Sequence, residues 1–224
     1  MRTRLDHRAG PFLAVFVPLL GIGLADGSLA ADSPWLYGIQ WVGPTTNLSD
    51  VSTMTGGKAI WDVETVMTND GEGYWGPGGQ LAKCQAIVAQ GHTLIIRVQP
   101  IWGKAFPWPE DTTPSMAQFL NQVTQLATLY RDVCHVWVLG NEMNLYMEWA
   151  GRELMPETYI DAAAQFSDRI KAVTSSLGPQ TVLVGPAAVG VPDTYHFMSN
   201  TEYLSRMCDR ISAAGYHTTC PVFR

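Results

Sequence analysis

The sequence predicts an α/β protein whose strands form one parallel sheet. Short runs rich in β-branched and aromatic residues alternate with longer stretches of helical periodicity, the rhythm of successive βαβ units. No shorter internal repeat and no low-complexity segment interrupts it, so residues 31–224 read as one domain. One run, Val136-Trp137-Val138-Leu139, is too short for a helix and ends abruptly in Gly140, Asn141 and Glu142. Right-handed crossovers bring every loop that follows a strand to one edge of such a sheet. An amide and a carboxylate at that edge can reach a ligand.

In chain order, Leu36-Tyr37-Gly38-Ile39-Gln40-Trp41 follows Ser33-Pro34 and reads as the first strand, with Gly43-Pro44 breaking the chain after it. Leu48, Val51 and Met54 give a weak helical beat closed by Gly56-Gly57. Ala59 to Val66 alternates, with Trp61 and Val63 on one face and Asp62 and Glu64 on the other, a second strand. A loop rich in glycine follows over 68–79, and then Leu81, Cys84, Ile87 and Val88 recur at helical spacing up to Gly91. Thr93 to Gln99 is a third buried strand with one charge, Arg97. The clearest helix comes next, with Thr113 as N-cap, Pro114 at N1 and an apolar stripe from Met116 to Tyr130. The run ending in Asn141-Glu142 is the fourth strand. A helix from Pro156 to Leu177, a fifth strand over 181–186, a helix near 201–214 and a few extended residues at 217–222 complete the pattern.

The N-terminus has the layout of a secretory signal peptide. Arg2, Arg4 and Arg8 precede an apolar run from Pro11 to Ala25, and Ser28-Leu29-Ala30 supplies small residues for cleavage. Residues 1–30 are therefore expected to be removed, and the mature protein to be secreted or periplasmic, with no membrane partner. Their removal takes three arginines and two aspartates and leaves a net charge of about −7, which argues against nucleic acid as a partner. Cys84, Cys134, Cys208 and Cys220 could form up to two disulfides at such an address, Cys208 with Cys220 the better candidate pair. Buried free thiols are the alternative for Cys84 and Cys134.

The Asn141-Glu142 step after a buried fourth strand resembles the acid/base signature of the large clan of (β/α)8-barrel glycoside hydrolases. The resemblance covers roughly residues 36–186 and rests on strand rhythm plus this pair; no single family matches. It implies a partial (β/α)8 (TIM) barrel of about five to six parallel strands, because the mature chain is shorter than the usual 250 or so residues; a smaller open sheet is the alternative. It also implies that Glu142 is the general acid/base and that Asn141 bonds the sugar 2-hydroxyl. Hydrolysis would retain configuration through a nucleophilic carboxylate. In the clan that nucleophile ends the seventh strand and has no counterpart here, so the chain looks C-terminally truncated and is expected to be inactive as given.

Arg97 has two readings, an inward guanidinium paired with Glu64 or Glu142, or a side chain that snorkels to water. Asp62 and Glu64 are equally balanced between an inward polar cluster and a solvated face. Trp41, Trp75, Trp102, Trp108 and Trp149 all fall at strand ends or in the loops after strands, and aromatic faces at that rim would stack on sugar rings. Trp61 and Trp137 lie within strands and read as core. No Gly-x-Ser-x-Gly elbow, phosphate loop or metal-spaced His pair is present, and no cofactor or metal is expected. The expected function is therefore an exported glycoside hydrolase-like protein with a carbohydrate substrate. The alternative is a non-catalytic carbohydrate-binding or scaffold protein on the same fold.

Overall fold

The computed structural model describes residues 38–40, 53, 55–69, 81–101, 103–146, 149, 152–175, 183–186 and 196–215. The strands are β1 (Gly38–Gln40), β2 (Trp61–Met67), β3 (Thr93–Gln99), β4 (Val136–Leu139) and β5 (Leu183–Pro186). The helices are α1 (Leu81–Ala89), α2 (Met116–Tyr130), α3 (Pro156–Thr174) and α4 (Asn200–Ala213). Backbone pairing is parallel throughout in the order β1-β2-β3-β4-β5, and side chains are described for the three central strands β2, β3 and β4.

The two faces of that sheet differ sharply. Asp62, Glu64 and Val66 of β2, Leu94, Ile96 and Val98 of β3, and Trp137 and Leu139 of β4 are buried. Cys84 and Ile87 from α1, the Phe119–Tyr130 stripe of α2, Tyr159, Phe166 and Ile170 of α3, and Tyr203, Met207 and Ile211 of α4 join the same apolar cluster. Trp61, Val63, Thr65, Ile95, Arg97, Val136 and Val138 form the other face, and all are only half-buried. Trp61, read from the sequence as core, therefore lies on the open side, while Trp137 is in the core.

The expected partial (β/α)8 barrel is corrected by this arrangement. The described residues form a small α/β layer structure, with four helices contributing to one covered face of a parallel sheet. Among them β1 pairs with β2 alone and β5 with β4 alone, so no barrel closes. A barrel interior is filled by layers of side chains, whereas here the face away from the core cluster stays half-exposed. Strand–helix rhythm is common to both architectures, and closure depends on pairings far apart in sequence.

Local chemistry accounts for the helix boundaries. Ser115, not Thr113, caps α2: its Oγ accepts from the Gln118 backbone N–H at 3.3 Å, and the Gln118 side-chain oxygen accepts from the Ser115 N–H at 2.8 Å. This reciprocal box satisfies two donors that the first turn leaves unpaired. Helix α3 starts with Pro at its first position, where a missing N–H costs nothing. Two forked arginines then tie α4 to α3. Arg206 donates to both oxygens of Glu157 at 2.8 Å, and Arg210 to both of Asp161 at 2.8 and 2.9 Å.

The acids of β2 do not form a solvated face. Asp62 and Glu64 are fully buried on the helix-covered side, and Lys83 of α1 forms a salt bridge with Glu64. Burial, with the Glu64 charge next, pushes the Cys84 thiol up to about 12, and burial alone dominates a rise to about 12 at Cys134. Both are free, protonated, inert thiols. Cys208 is a free, exposed thiol, against the expected pair with Cys220, which lies outside the described residues. So do residues 1–30, the weak helix at 48–52 and the extended residues at 217–222.

Removing one partner of a buried ion pair leaves the other charge uncompensated, at a cost of about 3 kcal/mol or more. Lys83→Met is therefore expected to lower unfolding free energy by roughly that amount in urea titration. A loss below about 0.5 kcal/mol would mean that Glu64 is held by its other neighbours.

Candidate functional site at the end of the fourth strand

The end of β4 is built around a glycine. Gly140 has φ 71°, and a Cβ there would lie 2.1 Å from the Cβ of Ala105. Only glycine accepts that conformation and that contact together. Its N–H donates to the Val98 carbonyl at 2.8 Å, which extends the β3–β4 ladder one rung beyond the strand. Two residues later Glu142 has φ 30°, the only positive φ on a non-glycine residue among the described residues. Such a conformation costs on the order of 1–3 kcal/mol and persists only where the surroundings over-determine it.

Those surroundings are identifiable. The Tyr159 hydroxyl of α3 donates to the Leu139 carbonyl at 2.7 Å. The Leu145 N–H closes a turn onto the Glu142 carbonyl at 2.9 Å, and Met143 is fully buried between them. Asn144 is also buried; its Nδ2 donates to the Met198 carbonyl at 3.1 Å and to Asn200 Oδ1 at 3.0 Å. The Phe197 N–H returns to the Asn144 carbonyl at 3.1 Å. The segment before α4 thus clamps the turn that displays Glu142, whose side chain is half-buried.

Arg97 joins this turn to the neighbouring strands. Its Nη1 donates to Asn141 Oδ1 at 2.6 Å, and its Nε and Nη2 both donate to Thr65 Oγ1, at 3.0 and 2.8 Å. The pairing register sets Thr65 opposite Arg97, so Glu64 points to the other side of the sheet. The expected Arg97–Glu64 pair is excluded by that alternation, and a hydroxyl and an amide take the forks instead. With Oδ1 turned to the guanidinium, the orientation of the Asn141 amide is set by Arg97.

The loop aromatics depart most from expectation. Trp149 is 0% exposed and Trp108 8%, and both belong to the main apolar cluster. They surround Phe106, with ring centroids 5.3 Å from Trp149 and 6.3 Å from Trp108, and they meet each other at 5.9 Å. Arg152 lies over the Trp108 ring at 4.1 Å, and Asp111 binds both the Trp108 N–H and Lys104 at 2.7 Å. A large ring recovers more free energy by burial than by waiting in water for a sugar. Trp108 and Trp149 therefore plug the space behind the strand end and are not sugar platforms. Trp41, Trp75 and Trp102 lie outside the described residues.

Two features escaped sequence reasoning. Gln99, at the end of β3, is fully buried with neither amide atom hydrogen-bonded. It alternates onto the same face as Arg97, level with the rung to Gly140. A buried amide with no partner costs about 1–3 kcal/mol per group, and such groups call for an explanation. The second is the pair Tyr146 and Phe197, half-buried with ring centroids 5.6 Å apart, just beyond Glu142. Alternation of β3 beyond Arg97 was the one available signal for Gln99; the Tyr146–Phe197 contact joins positions remote in sequence and had none. Among the described residues no group of three or more His, Cys, Asp or Glu could hold a metal ion.

Trp149→Ala is expected to destabilise the fold by about 3–5 kcal/mol in chemical denaturation; a change under 1 kcal/mol would return Trp149 to the sugar-platform role. Gln99→Met keeps the volume and removes both orphaned groups, so stability should stay level or rise by about 1 kcal/mol. A marked fall in its denaturation midpoint would mean that the amide is structurally satisfied.

No protein-family model matches this chain, and no curated protein matches it at a significant level.

Proposed function

We propose that the protein is an exported glycoside hydrolase-like protein acting on polysaccharide or oligosaccharide, with Glu142 as general acid/base. The observation that carries this reading is a carboxylate on a strained, clamped backbone beside an amide whose orientation a guanidinium sets. A glycosidic oxygen leaves readily only if a proton reaches it as the C–O bond breaks. Glu142 gives that proton and then, as carboxylate, takes one from the incoming water. Asn141 donates from Nδ2 to a sugar hydroxyl, and Arg97 holds it in place. The N-terminal signal segment supports export to where polysaccharides are met.

The retaining route needs a second carboxylate about 5 Å from the first. Asp62 and Glu64 cannot serve, because both lie on the helix-covered side. That observation favours a second reading, a non-catalytic carbohydrate-binding or scaffold protein that uses the same residues for recognition.

Calorimetric titration with neutral oligosaccharides, paired with turnover of natural-linkage glycosides, separates the two. In the enzyme reading, Glu142→Gln binds within about threefold of the wild type and loses some 10²–10⁴ in rate on substrates with poor leaving groups. Wild-type binding without turnover would transfer the site to the binding reading. Turnover that survives Glu142→Gln unchanged would remove the acid role.

A further inference from the structure

A concavity remote from the Glu142 turn in composition lies against α2. Gln118, Asn121, Gln122 and Gln125 follow one another at helical spacing and face Asn69, just past the end of β2, and Thr113 across a space of about 400 Å³. That volume falls within the roughly 300–1,000 Å³ of small-molecule sites. Among the described residues its lining is unusual for such a site: five amides, a hydroxyl and Pro114, without a charged residue or an aromatic ring. The helix itself, Met116–Tyr130, has no charged residue anywhere along its 15 positions, although its outer face is exposed. A merely solvated helix face is usually occupied by Lys, Glu and Arg. Moreover, the Gln122 side-chain oxygen is buried with no hydrogen-bond partner. Among the described residues the side chains of Asn69, Asn121 and Gln125 have no hydrogen-bond partner, while Gln118 is engaged in the cap of α2.

We propose that this groove is a carbohydrate-binding site of its own, taking a neutral, hydroxyl-rich oligosaccharide segment. A primary amide offers a donor and an acceptor side by side, and a hydroxyl is both at once, so each amide can exchange two hydrogen bonds with a vicinal diol. The described lining gives an anionic sugar no counter-ion, while Pro114 and the amide stems offer the apolar C–H edges of a sugar ring a surface to rest on. The buried Gln122 oxygen supplies an acceptor that gains fully from a hydroxyl, having no partner to lose. This assignment rests on the groove alone and is independent of Glu142.

The test uses the full mature chain, with cellohexaose, xylohexaose and mannohexaose as probes and polygalacturonate oligomers as the anionic control. Binding is read by calorimetry and by NMR shifts of the side-chain amides of Asn121, Gln122 and Gln125. The double variant Asn121→Ala/Gln125→Ala keeps helix propensity, and Gln122→Glu places a charge in the groove. The expected result is binding of at least one neutral hexaose with shifts at those amides. It should weaken at least tenfold in both variants and persist in Glu142→Gln. Absence of binding by every neutral probe, amide shifts confined to the Glu142 region, equal affinity for the anionic control, or unchanged affinity in the variants would overturn the proposal. Loss of turnover in Glu142→Gln with groove binding intact keeps the two sites separate.

Discussion

The close approach of Gly140 to Ala105 is the constraint on which the rest of the site depends. A side chain at position 140 would drive the loop after β3 away from the end of β4. The rung from the Gly140 N–H to Val98 would go with it, and so would the register that places Asn141 within reach of Arg97. The positive φ at Glu142 follows from the same turn, since the chain must reverse immediately to let Met143 and Asn144 enter the core. Backbone strain here is offset by Tyr159, which bonds the Leu139 carbonyl at the strand end, and by Asn144, whose amide ties the turn to Met198 and Asn200.

Charge is distributed by sheet face in a way that separates stability from recognition. On the covered side the buried pair Glu64–Lys83 lies among Cys84, Tyr130 and the apolar strand residues, where burial keeps thiol and phenol protonated. On the open side Arg97 donates to the Thr65 hydroxyl and to Asn141 Oδ1. Its planar fork sets the orientation of the amide at the strand end.

The aromatic residues divide along the same line. Phe106, Trp108, Trp149 and Tyr159 form a packed wedge between the loops after β3 and β4, which fixes those loops to one another. Tyr146 and Phe197 remain half-exposed beside the Glu142 turn. The polar groove on α2 contrasts with both, being neither apolar nor charged.

Local pattern by itself determined the elements of this protein. Periodicity located the strand Thr93–Gln99 and the helices around Ile87, Val123 and Phe166, because a period of 2 or 3.6 is a property of contiguous residues. It also marked Asn141 and Glu142, since a polar pair at the end of an apolar run stands out in the sequence. Tertiary structure decided which way each side chain faced and what it met. Whether Asp62 and Glu64 point to a core or to a ligand depends on where the helices lie, and no residue near them states it. Trp108 and Trp149 look alike as rim platforms or as a plug until Phe106 and Tyr159 arrive from other elements. The cap of α2 moved from Thr113 to Ser115 because the reciprocal bond with Gln118 outweighs a proline at N1. The partial barrel failed as an expectation for the same reason: the rhythm of strands is local, and whether a sheet curls around an interior or lies against one helix layer is not.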